Sequence, residues 1–468
     1  MRKVSILLLA LFALPLCAQN VDIEALSGLQ FNFGNPGARS LGMGGAFLGL
    51  ADDASAAEAN PAGLTILRKP EVSIEVRNYL EQQLFSTTGI YPDVTRTAFT
   101  HHSDRAVVSF ASFVYPIKKF TIGAYYHEPL NNEGGGLVAP QQDELTGVVT
   151  PLPKFFLPTE IHDGVPVAIG GPITFDQCQQ RRNETNNPFN CLEYRVDPFV
   201  SAVSVRQRTF GLTAAWQVHP KFSVGASVRH QRFLETAATF RFSQEFDPTE
   251  VLIQATAQEK NGQVELVEET DTTFAVGFKY SPFDKLSFGG SYKKGPKFTA
   301  PLFYASALTN NEFINAADTS FHIPDIAGLG VSYRPLPELT VNFDAVHVKY
   351  SNLVDEFVVA GAPVEGLGDP FTANDVVELR LGAEYLFATK IPFALRAGAW
   401  RDPAHSIEWT GPLTDFRYVA EALLYPEGED QDHISVGAGL AWPRFQVDAA
   451  YDSSKHYKVG SISVVTRF

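Results

Sequence analysis

The chain has 468 residues, 45% of them hydrophobic, with 36 Phe and 16 Tyr, and it sets 37 Lys+Arg against 52 Asp+Glu for a net charge of −15. So acidic a chain repels a polyanion, which excludes nucleic-acid partners. Beyond the N-terminus there is no long apolar helix, yet the chain is richer in aromatics than most soluble domains; a transmembrane β-barrel resolves this, because its lipid-facing and lumen-facing residues alternate and average out.

The first residues, MRKVSILLLALFALPLCAQN, place Arg2 and Lys3 before an apolar run from Val4 to Leu16 and the small residues Cys17 and Ala18. This predicts a secretory signal over residues 1–18, cut after Ala18. A membrane anchor would need a run of about 20 apolar residues, and a lipoprotein reading of Cys17 wants a small residue where Leu16 stands. Removing the signal takes away two cations and no acid, leaving 35 Lys+Arg against 52 Asp+Glu, or −17.

Residues 19–69 follow no strand pattern and are full of Ala, Gly and small polar residues, which predicts short helices and turns packed closely together. Leu41 to Gly45 holds a G-x-G without the third glycine or preceding strand that phosphate binding needs. Asp52, Asp53 and Ser55 are placed to cap a short helix.

From residue 70 onward, strands of alternating polarity are joined by connections that are in turn very short and very long. The short ones are Ile117 to Lys119, His219 to Lys221, Ser281 to Lys285, Pro335 to Glu338, Thr389 to Pro392 and Pro443 to Arg444, all rich in Pro, Lys, Asp or Ser as tight turns are. The long ones are 129–197, 246–270, 299–321, 351–374 and 402–430, with briefer ones near 86–93 and 453–456. Six turns and seven outer loops make fourteen strands. The even number, with both ends on one side, is what a bacterial barrel requires.

In VVELRLGAEYLF, Val377, Leu379, Leu381, Ala383, Tyr385 and Phe387 take one face while Glu378, Arg380, Gly382 and Glu384 take the other, a period of two that no helix produces. A soluble sandwich alternates too. Three features choose the membrane: Trp216, Tyr280, Tyr333, Phe387 and Trp442 stand at strand ends beside the short turns, where an interfacial girdle belongs; the strands are long; and VGSISVVTRF ends on Phe468, an ending like the recognition signal of outer-membrane barrels. Cys178 and Cys191 remain after processing, an even count in an oxidising compartment, and are expected to form one disulfide. Its loop of about 14 residues is worth roughly 3 kcal/mol of local stiffening in the chain-entropy model.

GARSLGMGGAFLGLADDASAAEANPAGL, from Gly37 to Leu64, closely resembles the N-terminal plug of the FadL family of long-chain fatty-acid and aromatic-hydrocarbon outer-membrane transporters. Asn60, Pro61 and Ala62 fall where that family carries its plug motif. FHIPDIAGLGVSYRPLPELTVNFDAVHVKYS and VVELRLGAEYLF resemble the same family's barrel. The resemblance implies an all-β fold, a fourteen-stranded antiparallel barrel over residues 70–468 closed by an N-terminal plug, in the bacterial outer membrane. It implies passive transport: capture by outer loops, an inner pocket, and sideways exit where the third strand is kinked beside the plug motif.

The third strand reads as Lys119 to Glu128 with Gly123 in its middle, and a mid-strand glycine marks a bulge or close approach when it is not simply packing; the gap is expected at Gly123. Arg229, Arg380 and Arg396 lie on polar strand faces and are candidates to meet a ligand carboxylate, although ordinary lumen networks hold arginines too, here Arg380 with Glu378 or Glu384. Enzyme readings are poor: Ser291 and Lys294 match S-x-x-K without its companion motifs, and His101 and His102 point to opposite faces of a strand with no ligand cluster nearby. No catalytic residue, metal or cofactor is expected. The expected partners are a hydrophobic small molecule and the surrounding outer-membrane lipid and lipopolysaccharide, with the chain a monomer. The competing reading is a barrel of the same build that binds partner proteins or serves a secretion machine.

Overall fold

The computed structural model describes residues 33–468 except 85–99, 139–140, 143–148, 151–153, 163–164, 169–172, 188–189, 196–198, 243–250, 256, 261–262, 306–313, 355–370, 411–427 and 456. The signal segment 1–18 and the loop near 86–93 thus lie outside the described residues.

Fourteen strands form one closed antiparallel sheet. In chain order they are β1 Glu71–Leu84, β2 Thr100–Ile117, β3 Phe120–Val138, β4 Phe199–His219, β5 Phe222–Phe242, β6 Gln263–Phe283, β7 Leu286–Lys293, β8 Ile326–Leu336, β9 Leu339–Val348, β10 Val376–Phe387, β11 Phe393–Asp402, β12 Gln431–Ala441, β13 Phe445–Ser453 and β14 Tyr457–Arg467. Each pairs with the next, and β14 closes on β1 with Arg467 opposite Glu71. The six short turns fall where the sequence puts them. Beside that closure, the Phe468 N–H donates to the Pro70 carbonyl at 3.1 Å.

The sides of the wall are inverted relative to a soluble sandwich. Along β10, Val377, Leu379 and Leu381 are exposed while Glu378 and Arg380 are buried. Lipid solvates the first set and would penalise the second, so only a bilayer makes this arrangement stable. At the short-turn end the rings form stacked pairs: Trp216 with Phe120 (centroids 5.8 Å apart), Phe387 with Phe393 (4.4 Å) and Trp442 with Phe445 (4.5 Å).

Several strands run on past the alternating segments. Strand β3 reaches Val138, still paired to β4, so the long connection begins ten residues later than the sequence pattern indicates. The stretch PLNNEGGGLV shows no alternation to read. Within the connection, three short strands (Lys154–His162, Val165–Ala168 and Cys191–Arg195) form a sheet against α3. That helix, Phe175–Thr185, has a capping box at Thr174 and Gln177. A disulfide between Cys178 and Cys191 ties helix to sheet.

Residues 33–69 fill the lumen as a plug. It contains α1 Ala38–Leu41, α2 Ala56–Ala59 and a 3-10 helix, Pro61–Ile66. Ala54, Ala56, Ala57, Ala59 and Ala62 are fully buried, because only small side chains let a backbone lie this close to a barrel wall. The wall reciprocates with glycine. A Cβ on Gly225 would stand 2.5 Å from the Ala62 nitrogen, one on Gly277 2.3 Å from the Asn60 Oδ1, and one on Gly289 2.0 Å from the Leu48 carbonyl. The Asp53 carboxylate accepts from the Ser55 N–H at 2.9 Å, a local turn in place of the helix cap expected there.

Leucine at position 289 cannot coexist with the seated plug. Gly289→Leu is expected to convert the barrel from closed to conducting in planar bilayers; a variant that stays closed would show that the plug can shift without unsealing the lumen.

Candidate functional site

Polar side chains of the wall pin the plug. Asp344 of β9 accepts the Phe47 and Leu48 N–H groups at 2.7 and 2.8 Å, and Glu75 of β1 accepts the Gly37 N–H at 2.9 Å. Lys279 of β6 donates to the Gly49 carbonyl at 3.1 Å. Arg39 spans from Asp52 in the plug (2.5 Å) to Glu384 in the wall (2.8 Å). The Asn60 side chain donates to the carbonyls of Leu48 (3.1 Å) and Phe278 (3.0 Å) and accepts the Ala62 N–H at 3.3 Å. Pro61 then opens the 3-10 helix, where a missing N–H costs nothing. The Asn60, Pro61, Ala62 triplet is therefore the clasp between two plug turns and β6.

Two residues before that clasp, α2 presents Glu58 to a small cleft of about 20 Å³ between plug and wall. Glu58 Oε1 lies 3.1 Å from Arg229 Nη2 of β5 and 3.0 Å from Lys293 Nζ at the end of β7. All three are nearly inaccessible to water. Burial pushes the Glu58 carboxyl up, and the opposed charges of Arg229 and Lys293 more than reverse this, holding it well below the usual carboxylate range. His127 of β3 sits 3.7 Å from the same oxygen. Two basic side chains thus face one carboxylate, while among the described residues Glu58 Oε2, Arg229 Nε and both His127 nitrogens have no hydrogen-bond partner. Ile323, which lines the cleft together with Gln207 and Gln231, belongs to an apolar cluster with Leu130, Val205, Phe233, Phe298 and Tyr350.

Beside the cleft the wall comes apart. Strands β2 and β3 pair from Ile117 opposite Phe120 up to Phe110 opposite His127, and among the described residues no pairing continues beyond it. From Thr100 to Val108, β2 is paired to β1 alone, and from Leu130 to Val138, β3 is paired to β4 alone. Both strands bulge at the point of separation. Ser109 is an extra residue opposite β1, and Glu128 with Pro129 stand opposite the single Arg208 of β4. Proline explains the second bulge, since it has no N–H to give a ladder. Side chains bridge the separation: Arg105 of β2 donates to Asn131 of β3, which donates to Glu128.

Gly123 is not at this interruption. It is paired to Val114 on one side and Thr213 on the other, and the pairing between β2 and β3 stops farther along the same strand, next to Glu128 and Pro129. The three arginines also part company. Arg229 reaches the cleft. Arg380 is bound to Glu378 and lies 5.0 Å over the Trp400 ring, and Arg396 lies 2.7 Å from Glu384 and 2.8 Å from Asp448. Lys294 of the S-x-x-K match is 3.0 Å from Asp325. Glu58, His127, Lys293 and Pro129 carry the site without having been singled out; the usable signals were a lone acid in SAAEANPAGL and a proline ending a strand. Among the described residues no group of His, Cys, Asp or Glu is placed to hold a metal.

Removing the shared carboxylate leaves two buried cations uncompensated. Glu58→Gln is expected to cost about 3–5 kcal/mol, seen as a lower midpoint for the heat-induced gel-mobility shift of the barrel; an unchanged midpoint would mean that water or another acid balances Arg229 and Lys293.

Residues 189–461 match the family described as outer membrane protein transport protein (OMPP1/FadL/TodX). No curated protein matches the sequence. Among solved structures, a FadL homologue of Pseudomonas aeruginosa is 15% identical with a TM-score of 0.57, covering 92% of this chain and 98% of its own. The CymD monoaromatic hydrocarbon channel is 16% identical with a TM-score of 0.55 (94% and 99% covered), and the Pseudomonas putida toluene transporter TodX is 14% identical with a TM-score of 0.55 (93% and 99%). At such identities the likeness is one of fold.

Proposed function

The chain belongs to the FadL/TodX family of outer-membrane transport proteins, and from that membership we infer that it carries amphiphiles with one carboxylate and a long apolar tail into the outer membrane, releasing them sideways between β2 and β3. A transport family sets aside both the enzyme readings and the interaction or secretion reading.

The observation that carries the substrate class is the excess of buried positive charge at Glu58, Arg229 and Lys293 beside an apolar cluster. A neutral ring would have no use for it. A carboxylate arriving from above exchanges with Glu58 for Arg229 and Lys293, so the site never holds a bare buried cation. The tail meanwhile stays among Leu130, Val205 and Phe233.

The route out follows from magnitudes. Each methylene moved into water costs about 0.8 kcal/mol, so a sixteen-carbon tail would lose on the order of 10 kcal/mol by leaving through the aqueous side. Leaving between β2 and β3 costs none of this, since the next medium is lipid. His127 and Pro129 line the cleft at the point where those strands separate, which joins pocket to exit.

Uptake of labelled oleate and of toluene tests this in cells lacking the gene and complemented with variants. Arg229→Gln with Lys293→Gln is expected to cut oleate uptake about tenfold or more, as loss of two charge-assisted contacts should, and to spare toluene. Equal loss of both substrates would place the effect on the path instead of the headgroup, and unchanged oleate uptake would remove the carboxylate reading. Deleting Pro129 takes out the extra residue yet keeps Leu130 opposite Gln207. It is expected to slow both substrates several-fold with the barrel still heat-resistant, whereas Gly123→Ala should leave uptake unchanged; normal uptake without Pro129 would dismiss the sideways route.

A further inference from the structure

The lipid-facing side of β4 is apolar from Trp216 up through Leu212 and Phe210, and then it changes. The next outward positions are Arg208 and Arg206. On β5 the outward residue directly opposite Arg208 is Arg232. Their side chains are 42%, 32% and 49% accessible in that order.

Two like charges directly opposite each other across a ladder are destabilising. Nearby acids relieve them only in part. Arg208 and Arg206 share one carboxylate, Glu128, at 3.2 and 3.7 Å, and Arg232 lies 3.2 Å from Glu268. Three cations against two carboxylates leave one positive charge in excess, with His230 exposed beside them. The Arg232 guanidinium also lies over the Phe210 ring at 5.7 Å, at the upper edge of the apolar belt.

Depth identifies what meets this cluster. Arg208 is eight residues above Trp216 of the lower girdle, and at about 3.3 Å per residue and a tilt near 40° it stands roughly 20 Å higher. The apolar band of such barrels is about 25 Å tall, so the cluster lies at the outer rim, where lipid headgroups begin. Arginine there costs little, and its planar fork fits phosphate oxygens in pairs.

We propose that Arg206, Arg208 and Arg232 form a binding site on the outer wall for the phosphate of a phosphorylated outer-leaflet glycolipid, whose acyl chains lie along Phe210, Leu212 and Val228. A phosphate monoester carries a charge between −1 and −2 near neutrality. Set between Arg208 and Arg232, it turns their repulsion into joint chelation.

The test is native mass spectrometry of the full barrel in detergent, titrated with bis-phosphorylated lipid A and with enzymatically dephosphorylated lipid A. The wild type is expected to hold the phosphorylated form about tenfold more tightly. Arg206→Gln/Arg208→Gln/Arg232→Gln should abolish that preference. Arg232→Gln alone, which leaves both Glu128 contacts in place, should lower it partway and keeps the test valid if the triple variant folds poorly. Equal binding of the two lipids by the wild type, or a preference undiminished in Arg232→Gln, overturns the proposal. Full displacement of the lipid by millimolar inorganic phosphate also overturns it, since the site would then be a free-anion site and not a lipid site.

Discussion

A bilayer offers no hydrogen bonds, and everything in this molecule follows from that constraint. Each backbone N–H and C=O in the wall must find a partner in a neighbouring strand, so the sheet closes, with Arg467 of β14 opposite Glu71 of β1. Closure in turn fixes which residues face which medium. The strand that exposes Leu379 and Leu381 to lipid hides Glu378 and Arg380 inside. Against this rule, one stretch where β2 and β3 are left without each other is costly. It lies beside the cleft between plug and wall, where the proposed sideways release would use it.

Burying so many charges inside would be expensive if the lumen were loosely filled. The plug makes it affordable by supplying partners: Arg39 for Glu384, Glu58 for Arg229 and Lys293, and backbone N–H groups for Asp344 and Glu75. Close approach is the condition for all of these. Alanines on the plug and glycines at positions 225, 277 and 289 on the wall meet that condition, and Asn60 then links two plug turns to β6.

What the sequence discloses divides along the same line. Alternation and turn chemistry are local, so the fourteen strands and the six turns could be read from neighbouring residues such as Val377 to Tyr385 or Pro443 and Arg444, whereas the plug was implied by the family resemblance of Gly37 to Leu64. The disulfide was legible from count and compartment alone. The site was not, because Glu58, His127, Arg229 and Lys293 come from four distant segments and meet only through the register of β3, β5 and β7. Arg380 and Arg396 look the same as Arg229 in sequence, and only their neighbours tell them apart. The end of β3 is hidden in the sequence for a related reason: past Pro129 the alternation stops, while the pairing to β4 continues.

Under the proposed function, the electrostatics of the cleft suit a carrier better than a store. Had Arg229 and Lys293 stood alone, an arriving carboxylate would gain two charge-assisted contacts outright and leave slowly, since affinity differences appear mostly in the rate of departure. With Glu58 already holding both, every contact the ligand gains is one that Glu58 gives up. The net gain is small, and selection for charge remains, because an uncharged headgroup cannot make the exchange. Glu58 is also two residues from Asn60, so the same plug turn that yields the cations carries the clasp on β6. On that proposal, weak, charge-selective binding next to the separation of β2 and β3 would let the apolar tail, not the headgroup, decide the direction of travel.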